Sequence, residues 1–154
     1  MVEPFQLQPL INLAQHESEL ATRKLGQLNK QQQDAQQNLD VLLEYREDYR
    51  GRLQGAIRNG VSPADLRNFQ QFIDKLDEAI NQQRKLVEQS KTSARAGRSE
   101  FDTTQRKLKS FDMLQQRHVS EQKRIAEKSE QKALDEQSGR FAAYKMNNTE
   151  DQDK

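Results

Sequence analysis

The sequence predicts an all-α fold: a long antiparallel two-helix coiled-coil hairpin with an overhanging second helix. Three observations carry this. Hydrophobic residues make up 32% of the 154-residue chain and charged residues another 32%, with a mean hydropathy of −1.13, whereas an ordinary globular domain is about 45–50% apolar. A chain this poor in Leu, Ile, Val and Phe cannot fill a compact interior, which leaves disorder or an elongated helical pair that needs only a narrow apolar seam. A heptad stride runs without a slip on both sides of one strongly punctuated turn, and this decides for the helices.

Helix one is expected over about 9–57. Alternating steps of four and three from Leu7 reach Ile11, Ala14, Ser18, Ala21, Leu25, Leu28, Gln32, Ala35, Leu39, Leu42, Arg46, Tyr49, Leu53 and Ala56. Ile11, Leu25, Leu39 and Leu53 take a positions, and Leu7, Leu28, Leu42 and Tyr49 take d positions. Ser18, Gln32 and Arg46 interrupt the a row, a stability cost of the kind that fixes register. At 1.5 Å per residue such a helix is roughly 75 Å long.

The turn is expected over 58–62. Asn59-Gly60 suits the left-handed conformation after a helix, Ser62 caps the next one, Pro63 suits a first helical position, and Asp65 completes a Ser-x-x-Asp variant of the capping box. So short a connection between two long helices implies an antiparallel hairpin.

Helix two is expected over about 63–140. The stride resumes through Leu66, Phe69, Ile73, Leu76, Ile80, Gln83, Val87, Ser90, Ala94, Gly97, Phe101, Thr104, Leu108 and Phe111. Reflection through the turn brings the start of helix one level with Leu108 to Phe111. The remainder, through Met113, Leu114, Val119, Ile125 and Leu134, is then left without an intrachain partner, and residues 145–154 read as a disordered tail. Hairpin and overhang together form one domain over 1–144. Ser90, Ser93, Ala94, Ala96 and Gly97 thin the seam opposite Ala21 and Leu25, and close helix approach is a simpler reading of that stretch than a hinge.

Composition also bounds the chemistry. The chain has no cysteine, hence no disulfide, thiolate metal site or cysteine nucleophile, and its 25 basic and 24 acidic side chains give a net charge of +1. No segment reads as a secretory leader or membrane span, so a soluble cytosolic protein without membrane insertion is expected. His16 and His118 lack a ligand motif around them, and Glu44, Glu47, Asp48 and Asp74 read as solvent-facing charge. No phosphate-binding glycine loop occurs, so neither cofactor nor metal is expected. Helix two carries a basic run, Arg84, Lys85, Lys91, Arg95, Arg98, Arg106, Lys107 and Lys109, but acids interleave and the aromatics Phe101 and Phe111 lie on the seam, which argues against nucleic acid.

Tyr45 and Phe72 fall on g positions, with Asn38 and Ala79 one heptad farther from the turn. The g edges of an antiparallel pair face each other, so these four form one strip beside the seam, above Tyr49, Leu42, Leu76 and Gln83. Two readings stand: aromatics that widen the core, or interface anchors.

Leu42-Leu-Glu-Tyr45-Arg-Glu-Asp-Tyr49-Arg, the Gly60 turn, and Asn68-Phe69-Gln70-Gln71-Phe72-Ile73-Asp-Lys-Leu76-Asp-Glu-Ala79-Ile80 together resemble the FliJ family of bacterial flagellar type III export proteins. The resemblance is specific over about residues 38 to 83. It implies a non-enzymatic coiled-coil component, similar to the central stalk of rotary ATPases, at the cytoplasmic side of the inner membrane at the flagellar base. It implies three partners: a hexameric export ATPase engaged by the paired helix ends, an export gate membrane protein contacted nearer the turn, and export chaperones that are escorted. The gate cluster carries over to Leu42, Tyr45, Tyr49, Phe72, Leu76 and Ala79, whereas at Asn38 and Gln83 the family more familiarly has Gln and His. For the ring contact, the open end offers Leu7, Leu10, Ile11, Phe111, Leu114, Val119 and Ile125. The alternative is a generic coiled-coil tether whose overhang pairs with its own copy.

Overall fold

A computed structural model describes residues 6–152. Among them there are two helices and no strand: α1, Gln8–Asn59, and α2, Pro63–Gln152. Met1 to Phe5, assigned above to the hairpin, and Asp153 and Lys154, assigned to the tail, lie outside the described residues.

The turn forms for the reasons its residues suggest. Gly60 adopts φ +86°, a left-handed conformation that glycine enters without a Cβ penalty. Its N–H reaches back to the Ile57 carbonyl at 3.4 Å. Ser62 caps α2, its Oγ accepting from the Asp65 N–H at 3.2 Å while its carbonyl accepts the Leu66 N–H at 3.0 Å. Pro63 occupies the first helical position, where a missing N–H costs nothing.

Helix two, expected to end near Arg140 and to be followed by a disordered tail over 145–154, instead continues as α2 to Gln152. No proline follows Pro63 and the last glycine is Gly139, so nothing breaks the helix, and Asn147 and Asn148 each cost less than about 1 kcal/mol. Local contacts along the stretch add support: Gln131 donates to Asp135 at 3.1 Å, Lys145 Nζ lies 5.3 Å from the Phe141 ring centre, and Thr149 Oγ1 donates to the Lys145 and Met146 carbonyls, each at 2.9 Å.

The chain divides into two compact units. The first, Ala14–Arg106, contains the turn. Its buried seam is Ala14, Ala21, Leu39, Leu76, Ile80, Val87 and Ala94, all stops on the heptad stride, and Leu39, Ile80 and Val87 form a cluster against which Ala35, Leu42 and Leu43 pack. Gly97 is buried, and a Cβ placed there would lie 2.6 Å from Leu28 Cδ1 and 3.9 Å from Leu25 Cα. Close helix approach is therefore what the thin stretch provides. The second unit comprises the chain up to Leu13 and from Lys107 onward. Here Ile11 is buried, and half-buried Phe111, Gln115, His118 and Gln122, at steps of four, three and four, mark the inner face of α2. From Lys123 to Glu150 every side chain is exposed.

Candidate docking surfaces

Within Ala14–Arg106 three rings meet beside the seam. The Phe72 ring lies 4.3 Å from Tyr49 and 6.3 Å from Tyr45, and Tyr49 lies 5.3 Å from Phe69, all in tilted arrangements that suit the aromatic quadrupole. Tyr45 is 53% exposed, so one flank of its ring is covered by Phe72 and the other faces water. Asn38 is exposed as well, whereas Leu42, Tyr49, Phe72, Ala79 and Gln83 are half-buried and Leu76 is 8% exposed. Leu76, expected within the contact cluster, is instead buried, because its d position points it into the seam. The heptad letters did not foresee that the two g-position aromatics differ: Phe72 inserts between both tyrosines and is part of the packing, and Tyr45 alone presents a broad surface.

Gln83 spans the two helices, its Nε2 donating to the Ala35 carbonyl at 2.9 Å. Its amide is thereby committed to the fold. Two apolar residues on the same flank escaped the sequence reading, Val41 at 60% and Leu86 at 52% exposure. Leu86 continues the g row after Phe72 and Ala79, one heptad on, and this spacing was the signal that could have found it.

The polar a-row residues of α1 meet one row of α2. Ser18, 6% exposed, accepts at Oγ from Gln105 Nε2 at 2.7 Å. Arg46 Nε, itself buried, lies 2.7 Å from Asp77 Oδ1, with the carboxylate off the N–H axis. Gln32 shares a cleft with Lys91, the member of that row midway between Asp77 and Gln105. The sequence marked the three interruptions but not their partners.

In the other unit, Leu10 (47%), Leu114 (41%), Val119 (58%) and Ile125 (50%) are exposed apolar residues. Leu7 and Phe111 are half-buried. Ile11, expected among the exposed residues, is only 6% exposed, because as an a position it points into the seam. Leu13, Met113, Leu134, Phe141, Tyr144 and Met146 are also exposed; the last three lie where helix was not expected. Glu121 and Arg124 pair at 2.6 Å, and this hydrogen bond holds the Glu121 carboxyl below the usual range and raises the Arg124 guanidinium.

Among the described residues no group of His, Asp and Glu could hold a metal ion, and no helix is long and apolar enough to cross a membrane. His16 is exposed and His118 half-buried. The features that stand out are the exposed apolar flanks of the two helices.

The profile of the family described as Flagellar FliJ protein matches residues 3–147. Two relatives carry the same description: the Escherichia coli (strain K12) protein, 30% identical over 145 residues, and the Salmonella typhi protein, 29% identical over the same length, each alignment covering 94% of this chain and 99% of the relative. With a match across nearly the whole chain and a helical hairpin of the expected kind, this chain belongs to the FliJ family of flagellar proteins.

Proposed function

We propose that this chain, by its family a component of flagellar protein export, is a non-catalytic, stalk-like coupling protein that binds and stimulates the hexameric export ATPase, contacts the export gate and escorts export chaperones. The observation that carries the reading is a division of exposed apolar side chains between the two units: Tyr45, flanked by half-buried Phe72 and Ala79, in one, and Leu10, Leu114, Val119 and Ile125 in the other. Large exposed apolar side chains in so polar a chain favour partner contact over solvation.

The ring contact is assigned to Leu7, Leu10, Phe111, Leu114, Val119 and Ile125, with buried Ile11 supporting them from within. The gate contact is assigned to exposed Asn38 and Tyr45 with half-buried Phe72 and Ala79 beside them, and Leu42, Tyr49, Leu76 and Gln83 hold that surface in shape. The protein is placed on the cytoplasmic side of the inner membrane at the flagellar base. The test is ATPase stimulation by a chain deleted from Met113 onward, together with a titration of the gate's cytoplasmic region by Tyr45→Ala. Loss of stimulation in the first and at least about tenfold weaker binding in the second are expected. Full stimulation by the truncated chain overturns the ring assignment, and unchanged gate affinity overturns the gate assignment. A generic tether would show neither partner at all.

A further inference from the structure

One row of α2 runs Asp77, Arg84, Lys91, Arg98, Gln105 at seven-residue intervals along a single edge of the helix pair. Its two ends are satisfied across the pair, Asp77 by Arg46 and Gln105 by Ser18. Its three central members are cations, and none has an ion-pair partner on α1 among the described residues. The row they face on α1 is uncharged, with Thr22, Asn29 and Gln36 at the same spacing. Between the helices at this level is a cleft lined by Leu25, Asn29, Gln32 and Ala94, with Lys91 and Arg98 on its rim.

The only compensation is local. Lys91 lies 3.5 Å from Glu88 and Arg98 lies 3.4 Å from Asp102, with carboxylates 72% and 49% exposed; pairs this exposed are screened and contribute little. Lys85 and Arg95 sit beside the row and have no ion-pair partner among the described residues. Over residues 84–102 the sequence holds five bases, Arg84, Lys85, Lys91, Arg95 and Arg98, against the three acids Glu88, Glu100 and Asp102, the last two at its far end, in a chain whose net charge is only +1. The excess of positive charge lies on the Arg84, Lys91 and Arg98 edge, and an edge of one sign steers and selects a partner of opposite sign.

We infer that this edge is a docking site for an acidic amphipathic helix of another protein, laid as a third strand along the cleft with carboxylates one heptad apart against Arg84, Lys91 and Arg98. The spacing selects a helix: seven residues of α2 rise roughly 10.5 Å, and a partner helix presents one carboxylate per heptad at that same interval. In an extended strand the side chains of one face recur at about 6.6 or 13 Å, and neither interval matches. Nucleic acid is disfavoured because single strands bind on stacking aromatics. The nearest ring is Phe101, half-buried, with the Arg98 guanidinium already 5.9 Å from its centre. In the cleft, half-buried Leu25 beside buried Ala94 offers only a small apolar contact, so the pairing of carboxylates with Arg84, Lys91 and Arg98 carries most of the docking.

The test uses the full chain and a synthetic helical peptide of about four heptads, with Leu and Ala in the seam and Glu at seven-residue intervals. Wild type is expected to bind it at low salt, with affinity falling steeply as salt rises, and the triple variant Arg84→Gln, Lys91→Gln, Arg98→Gln to bind at least about tenfold more weakly with unchanged circular dichroism. A peptide of the same composition with its glutamates moved off the seven-residue spacing should also bind at least about tenfold more weakly. The inference is overturned by equal binding of the shuffled peptide, by undiminished binding to the triple variant, or by tighter binding of oligothymidylate than of the peptide. It is equally overturned if sedimentation shows self-association that the triple variant abolishes, which would make a second copy the occupant.

Discussion

Gln105 donates from Nε2 to the Oγ of Ser18 at 2.7 Å, joining positions 87 residues apart in sequence. Ser18 is the buried polar group on α1, and Gln105 reaches it from an exposed position at the rim. Gln105→Ala should leave the hydroxyl buried without this partner and lower stability by about 1 kcal/mol, a fall in melting temperature of roughly 2–4 °C. Ser18→Ala removes the donor's target and the buried hydroxyl together, and Gln105 turns to water, so its melting temperature should stay within about 2 °C of wild type. Thermal melts of the two variants side by side check the asymmetry.

Arg46 and Asp77 give the same lesson with charge. Asp77→Ala strips the carboxylate from a guanidinium nitrogen that is itself buried. Both side chains are partly exposed, at 36% and 40%, so the loss should be about 1 kcal/mol and no more. Arg46→Leu completes the apolar a row and should raise the melting temperature by a few degrees, as replacement of inward ion pairs often does. A lower melting temperature for Arg46→Leu would mean that the pair adds more than register.

Tyr45 and Phe72 should separate under mutation. Tyr45→Ala removes a largely exposed ring and should cost the fold under about 1 kcal/mol. Phe72→Ala opens the space between Tyr45 and Tyr49 and should cost about 2 kcal/mol or more. Leu76→Ala, at the most buried position of the group, should cost about 2–5 kcal/mol. Denaturant titrations rank the three, and equal losses for Tyr45→Ala and Phe72→Ala would contradict the geometry.

Gly97 tests the close approach. An added methyl would meet Leu28 Cδ1 at 2.6 Å, the far end of a flexible side chain that can rotate away, while the gain in helix propensity is about 1 kcal/mol. Gly97→Ala should thus lie within about 1 kcal/mol of wild type. Gly97→Leu has no such escape past Leu25 Cα and should destabilise by about 2–3 kcal/mol. Urea midpoints for both variants make the comparison.

Removal of residues 126–154 should change the melting temperature by no more than about 2 °C, since every described side chain from Lys123 to Glu150 is exposed and none contributes to a core. Far-ultraviolet circular dichroism per chain should fall in proportion to the helix deleted. A large drop in stability would mean that the segment packs on the rest of the protein.

The seam and the turn were legible because each rests on a local rule: period 3.5 in apolar residues, and Gly60, Ser62 and Pro63 where a helix must end and restart. Heptad position set Tyr45 and Phe72 beside the seam and Leu76 in it, but left open which of them are core and which are surface. The contribution of Phe72 to packing did not follow from it, since a heptad letter fixes direction and not depth, and depth depends on the neighbouring rings. The partners of Ser18 and Arg46 were hidden for a different reason: Gln105 and Asp77 are ordinary surface residues until the stagger of the two helices is known. The last part of α2 was missed because its composition looks solvated, and a helix with no breaker needs no apolar face to persist in local hydrogen bonding.

The polar pairs Ser18–Gln105 and Arg46–Asp77 are staggered alike, and that stagger bears on motion. An apolar heptad seam tolerates sliding by one repeat, because Leu replaces Leu. Sliding α2 by seven residues in one direction would bring Arg84 to Arg46, and in the other would set Arg98 against the buried Ser18, so each axial step meets a repulsive or unsatisfied contact. Within Ala14–Arg106 the helices are thus held against shear. A push received by one helix there is carried by both, as bending or turning of the pair, and not as a ratchet of one strand along the other.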